Sequence, residues 1–172
     1  MTRAQLEHVI RAAAAIADVD ELVIVGSQAI LGSFPDAPAE LIGSVEADLY
    51  APGDPAGGDL IDGAIGEESP FHESFGYYAH GVGPDTAILP AGWRDRAVAI
   101  RGESTHGARA ICPHPADLAA SKLVAGREKD RAFVAALLRH GLVTRVSLEA
   151  AAALLPAPHG ARVRELLGAL QL

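Results

Sequence analysis

Glu21-Leu-Val-Ile-Val-Gly-Ser27 begins as a short aliphatic, β-branched run after Asp20 and ends on a glycine and a hydroxyl residue. Such a run reads as a buried strand. Gly26 marks a tight turn, and a helix is predicted from Ser27 through Ala29, Ile30 and Leu31 to Gly32. A strand–glycine–helix unit lets backbone approach a ligand closely and aims free amides and the positive end of a helix at it, which suits a phosphate. The Ser27 hydroxyl adds a further contact. The plainer alternative makes Gly26 a turn residue and Ser27 a helix N-cap. Neither the Gly-Lys-Ser/Thr ending of a P-loop nor the glycine spacing of a dinucleotide turn follows.

Downstream, Phe34-Pro-Asp-Ala-Pro38 cannot continue a helix, because both prolines lack the needed donor. Ser44-Val-Glu-Ala-Asp-Leu-Tyr50 alternates and reads as a second strand, with Glu46 and Asp48 on one face and Val45, Ala47 and Leu49 on the other. Two carboxylates on one face of a half-buried strand repel each other and are costly to desolvate. A divalent cation relieves that conflict, and magnesium takes one or two carboxylates plus substrate phosphates. The alternative is a strand whose polar face simply meets water.

Upstream, Leu6, Val9, Ile10, Ala13 and Ile16 recur at helical spacing and predict an opening helix. Past Pro52 comes a glycine-rich loop and a short helix around Leu60 to Ile65, while residues 69–85 carry no clear period. Thr86–Leu89, Ala97–Arg101 and Arg109–Cys112 read as short strands, with a turn at Pro90–Trp93. Pro115 suits a first helical position and Asp117 a first turn, so helices are predicted over 115–125, 128–140, 147–155 and 158–170. The fold class is α/β (α+β): a lobe over residues 1–112 with a mixed central sheet flanked by helices, and a helical C-terminal segment over 113–172 packed on it.

Composition narrows the setting. With 49% hydrophobic residues among 172, a sizeable core can be buried and global disorder is excluded. A single cysteine, Cys112, rules out an internal disulfide and fits a reducing compartment. The first residues read as an amphipathic helix rather than a signal peptide, and no apolar run is long enough to span a bilayer. A cytoplasmic protein is expected. Residues 1–118 hold 6 Lys and Arg against 18 Asp and Glu, whereas residues 119–172 hold 8 against 4. The basic end suits an RNA backbone; its ordinary alternative is a solvated helical face.

Gly26-Ser27 and Glu46-Ala47-Asp48 together resemble the polymerase-beta-like nucleotidyltransferase superfamily, whose pattern is a strand, a Gly-Ser or Gly-Gly turn, a helix, and a strand bearing two carboxylates. The resemblance implies a nucleotidyltransferase fold in which Gly26 and Ser27 hold a nucleoside triphosphate and Glu46 and Asp48 hold Mg2+. Pro115-Ala-Asp-Leu-Ala-Ala-Ser-Lys122-Leu-Val-Ala-Gly-Arg127-Glu-Lys129-Asp130 is similar to the abortive-infection, toxin-like branch. That likeness gives Lys122 the phosphates and makes Asp130 an acidic catalytic partner that orients Lys122 or a nucleophile. Lys122 on a solvated face and Asp130 stabilising a helix N-terminus are the ordinary alternatives.

The implied activity is transfer of a nucleoside monophosphate from an NTP to an RNA (tRNA) or protein hydroxyl, as a toxin with a cognate antitoxin. The alternative is a non-catalytic nucleotide-binding or protein-interaction module of the same fold. The chain departs from the common pattern in having Glu46 rather than Asp first, and a longer segment between Ser27 and Glu46. It also lacks an obvious third carboxylate, for which Asp85, Asp95 and Glu103 are candidates. Cys112 and His114 supply only two ligands, too few for zinc. His72, His80 and His106 read as loop histidines that could line a pocket, and Trp93 as a residue that packs a turn.

Overall fold

The computed structural model describes residues 1–169 as two compact units. The first joins Met1–Thr86 to Val98–Cys112, and the second joins Ala87–Ala97 to the chain from Pro113 onward.

The first unit holds a five-stranded mixed sheet in the order β3-β2-β1-β5-β4. The strands are β1 (Glu21–Ile24), β2 (Glu46–Tyr50), β3 (Tyr78–Gly81), β4 (Val98–Ile100) and β5 (Arg109–Cys112). β1 runs antiparallel to β2 and parallel to β5, β2 runs parallel to β3, and β4 runs antiparallel to β5. Central β1 buries Leu22, Val23 and Ile24, as an aliphatic run covered on both faces must. In β2 the alternation is kept: Ala47 and Leu49 are fully buried while Glu46 and Asp48 are half-exposed.

Helix α1 (Arg3–Ala17) is started by a reciprocal capping box between Thr2 and Gln5 and stopped by Asp18 in the left-handed region. Its stripe of Leu6, Val9, Ile10 and Ala13 is fully buried, and each of the larger side chains contributes about 1.5–3 kcal/mol by leaving water. Where one helix was expected from Ser27, the chain forms a 3-10 turn over Ser27–Ala29 and then the single-turn α2 (Ile30–Ser33). Pro35 and Pro38 prevent any extension. A Cβ on Gly32 would lie 2.6 Å from the Cβ of Cys112, so α2 packs against β5 at glycine distance. Burial pushes the Cys112 thiol up to about 12, leaving it a small apolar core group.

α3 (Pro55–Ile65) is longer than the predicted Leu60–Ile65 helix. Asp54 caps it, accepting from the Ala56 amide at 3.1 Å, and Pro55 fills the first position. Gly57 and Gly58 each cost a helix about 1 kcal/mol, which hid its first half. The glycine this packing requires is on β3: a Cβ on Gly81 would sit 2.1 Å from the Gly58 carbonyl oxygen, so α3 and β3 meet backbone to backbone. α4 (Pro70–Phe75) and β3 fill the region that showed no period. Thr86–Leu89 is not a strand. Pro84–Thr86 forms a 3-10 turn and residues 87–89 are irregular, in a run bracketed by Pro84 and Pro90.

The second unit contains α5 (Trp93–Arg96), α6 (Pro115–Ala125), α7 (Glu128–Arg139), α8 (Arg145–Ala153) and α9 (His159–Ala169). The helix predicted over 158–170 corresponds to α9, with residue 170 outside the described residues. His114 caps α6 through its ring nitrogen, which accepts from the Ala116 amide at 3.3 Å. Arg96 holds the buried Asp117 with two bonds of 2.9 and 3.0 Å, which fastens the Ala87–Ala97 segment to α6. Trp93 has the Arg94 guanidinium over its ring at 5.0 Å. Among the described residues no helix is long and apolar enough to cross a membrane.

Candidate functional site

The site starts from the register of β2. The antiparallel pair Val23↔Tyr50 and Ile24↔Leu49 brings the end of β1 beside Asp48, whose carbonyl accepts from the Val25 amide at 3.0 Å. The next residue, Gly26, therefore lies against the Asp48 side chain. A Cβ on Gly26 would lie 2.1 Å from Asp48 Oδ2 and 2.9 Å from its Cγ. Gly26 has an ordinary φ of -77°, so the glycine is needed for the missing side chain rather than for backbone freedom. Ser27 is half-buried on the turn itself. Gln28 is fully buried, donates to the Ser44 carbonyl at 3.0 Å and so ties the turn to the approach of β2. Its Oε1 is buried without a hydrogen-bond partner.

β3 adds what the sequence reading missed. Its parallel register places Tyr78 opposite Glu46 and His80 opposite Asp48, so all four side chains stand on one face of the sheet. His80 Nδ1 lies 2.9 Å from Glu46 Oε1 and 3.2 Å from Asp48 Oδ1. One ligand atom from each of the three residues falls within 4.8 Å of the others. Burial works against a charged His80, but the Asp48 hydrogen bond and the charges of Asp62, Asp48 and Glu46 outweigh it and raise its pKa. Asp62 of α3 accepts from the Gly81 amide at 2.8 Å, which anchors the strand end that carries His80. Beside them Tyr78 meets the His72 ring at 4.6 Å. Burial, then the charges of Glu46, Glu67 and Asp48, hold the Tyr78 phenol above its ordinary range.

The donor set fits a divalent cation. Two carboxylates and an imidazole converge, side chains are 33%, 29% and 47% exposed for Glu46, Asp48 and His80, and adjacent donors around an ion with bonds near 2.1 Å are about 3 Å apart. None of the three candidates for a third carboxylate is in this group. Asp85 lies in the 3-10 turn before the second unit, Asp95 in α5, and Glu103 in another 3-10 turn. His80 is thus a strand residue in register with Asp48, not a loop histidine. Gly26→Ala is predicted to leave the far-ultraviolet circular dichroism unchanged while weakening metal binding by about tenfold or more, since the new methyl displaces the Asp48 carboxylate; a metal titration beside a melt checks both halves.

Lys122 and Asp130 belong to the second unit and meet each other there. Lys122 Nζ lies 3.4 Å from Asp130 Oδ1 and 5.8 Å from the Phe133 ring centre. Arg127 at the N-terminal boundary of α7 reaches the same carboxylate with bonds of 2.6 and 3.3 Å. Asp130 is 1% exposed. Burial pushes its pKa up, but the Arg127 hydrogen bond and the charges of Lys122 and Arg127 prevail and hold it below the usual carboxylate range. The structure thus gathers Gly26, Glu46 and Asp48 in one unit and Lys122 with Asp130 in the other.

No curated protein and no solved structure matches the chain. A family model described as a nucleotidyltransferase of unknown function (DUF6036) matches residues 4–164, nearly the whole chain. The chain belongs to that family, and its five-stranded mixed sheet with flanking helices is consistent with a nucleotidyltransferase fold.

Proposed function

We propose that this nucleotidyltransferase-family chain binds a nucleoside triphosphate and a divalent cation where the turn after β1 meets β2, and transfers the nucleoside monophosphate to an RNA or protein hydroxyl. The observation that carries the reading is the Gly26 turn pressed against Asp48 beside Glu46, which joins a phosphate turn to a pair of carboxylates. Magnesium is the ion that the resemblance implies. The metal, when bound, neutralises phosphate oxygens and the charge that develops on the attacked phosphorus.

The remaining work falls to the chain. Gly26, having no side chain, makes room for the Asp48 carboxylate beside the turn, and Ser27 presents a half-buried hydroxyl at the same turn. Lys122 is the proposed phosphate-binding cation and Asp130 the residue that positions it, an assignment based on the resemblance of the Pro115–Asp130 block. In the transfer the acceptor oxygen bonds to the α-phosphorus, the bond to the bridging oxygen breaks, pyrophosphate leaves and the hydroxyl proton passes to solvent. On this reading Lys122→Ala raises the KM for the triphosphate about tenfold, equivalent to about 1.4 kcal/mol, as initial rates against triphosphate concentration will show. A toxin role with a cognate antitoxin is part of the proposal.

One observation favours a second reading. Among the described residues the three-ligand group contains His80 in place of a third carboxylate, which weakens the case for an acceptor hydroxyl activated by a carboxylate base. A non-catalytic nucleotide-binding module is that alternative. Incubation with α-phosphate-labelled triphosphates and either tRNA or candidate proteins separates the two. Label on an acceptor with the wild type, absent with Asp48→Asn, is expected. Triphosphate binding with no label on any acceptor favours the binding module.

A further inference from the structure

We propose that His80 is a third metal ligand, and that the resulting nitrogen-containing set selects a first-row transition ion over magnesium. The inference rests on the metal site proposed above and concerns which ion that site takes. Its basis is the pairing of β2 with β3. Parallel register puts His80 directly opposite Asp48, and the Asp62–Gly81 bond fixes the end of the strand that presents it. The Nδ1 atom is the ring nitrogen turned toward both carboxylates, at 2.9 and 3.2 Å.

Those two separations, which hydrogen bonding and charge pairing between the side chains account for on their own, are also the spacing of adjacent donors around one octahedral ion, about 3 Å for bonds near 2.1 Å. On the other side Gly26 leaves the Asp48 carboxylate the space it occupies, since any side chain there would strike it. Chemistry then decides the ion. Magnesium favours oxygen ligands and water, whereas imidazole suits the later divalent metals, and manganese accepts both. An imidazole in the third position thus favours manganese or a later ion relative to an all-oxygen set.

The test uses the full chain with Mn2+ and Mg2+ alone. Mn2+ binding is followed by the loss of free-ion electron paramagnetic resonance signal, Mg2+ by competition, and the coordinating atoms by pulsed resonance of bound Mn2+. The wild type is expected to show nitrogen coupling to Mn2+. His80→Asp should bind Mn2+ without that coupling and lower the preference for Mn2+ over Mg2+ by at least about tenfold, the lower end of what even outer-shell changes cost. Bound Mn2+ with no nitrogen coupling in the wild type, and an unchanged preference in the variant, would overturn the inference and leave the carboxylate site standing. Failure of the folded wild type to bind either ion would overturn both, and that outcome is visible before any variant is made. His80→Gln provides a second check: it should lose nitrogen coupling without adding a carboxylate.

Discussion

Asp48→Ala is expected to lower metal affinity by at least about 100-fold, because even partners behind a ligand are worth 10–100-fold and a direct ligand should cost no less. Few substitutions in this chain have so clean an expectation. What Asp48 gives the fold is mainly backbone: its carbonyl accepts from the Val25 amide at 3.0 Å and its neighbours Ala47 and Leu49 fill the core, while its side chain adds one half-exposed contact with His80 at 3.2 Å. An alanine keeps the backbone bond and the core and loses only the His80 contact. The side chain is half-exposed and faces Glu46 across one strand residue, so its removal also relieves like-charge repulsion. The metal-free variant should therefore melt close to the wild type, while stabilisation by added ion, about 2.7 kcal/mol at a concentration 100 times Kd, disappears. Thermal melts with and without Mn2+ or Mg2+ measure both quantities on the same sample.

Asp130→Ala should act in the opposite manner and damage the fold. The carboxylate is buried and shared by Arg127 and Lys122, so its loss strands a largely buried ammonium. Removing one partner of a buried ion pair costs about 3–5 kcal/mol. The effect depends on pH with a definite sign. Because the folded-state pKa of Asp130 lies below its ordinary value, its contribution is fully present above that ordinary value, near 3.8. It is lost as pH falls through the lower folded-state value. Denaturant titrations should show the full difference between wild type and Asp130→Ala at pH 7, and a shrinking difference below about pH 4. Lys122→Met, which removes charge but keeps length, should leave Asp130 with Arg127 and cost less.

These two expectations also show what sequence alone could carry. β1, β5 and α6 are legible because their signals are local: an aliphatic run, a run stopped by Pro113, and a proline-started helix ended by Gly126 in the left-handed region. The carboxylate pair is legible because a strand alternates with period two. His80 is different. Tyr78-Ala-His-Gly81 is too short to announce a strand, and it becomes one by pairing with β2, some thirty residues earlier. Register across two strands, which no local pattern encodes, turns a scattered histidine into a neighbour of Glu46 and Asp48.

The same holds for Gly26 and Gly81. Gly26 reads as a turn glycine and Gly81 falls in a stretch without a clear period, and the space beside each is filled by a side chain or backbone from far along the chain. Thr86–Leu89 shows the reverse error, a run of strand formers with no available partner between its prolines. Asp130 shows a third case. The resemblance of the Pro115–Asp130 block makes it an acidic partner of Lys122, and only the folded chain shows that it is 1% exposed and shared by Lys122 and Arg127.

Calorimetric titration of the full chain with each nucleoside triphosphate, with and without Mg2+ or Mn2+, tests the central claim most directly. The account predicts binding of a triphosphate that requires the divalent ion and is lost in Asp48→Ala while the variant stays folded. Folded wild-type protein that binds no triphosphate in the presence of either ion would contradict it.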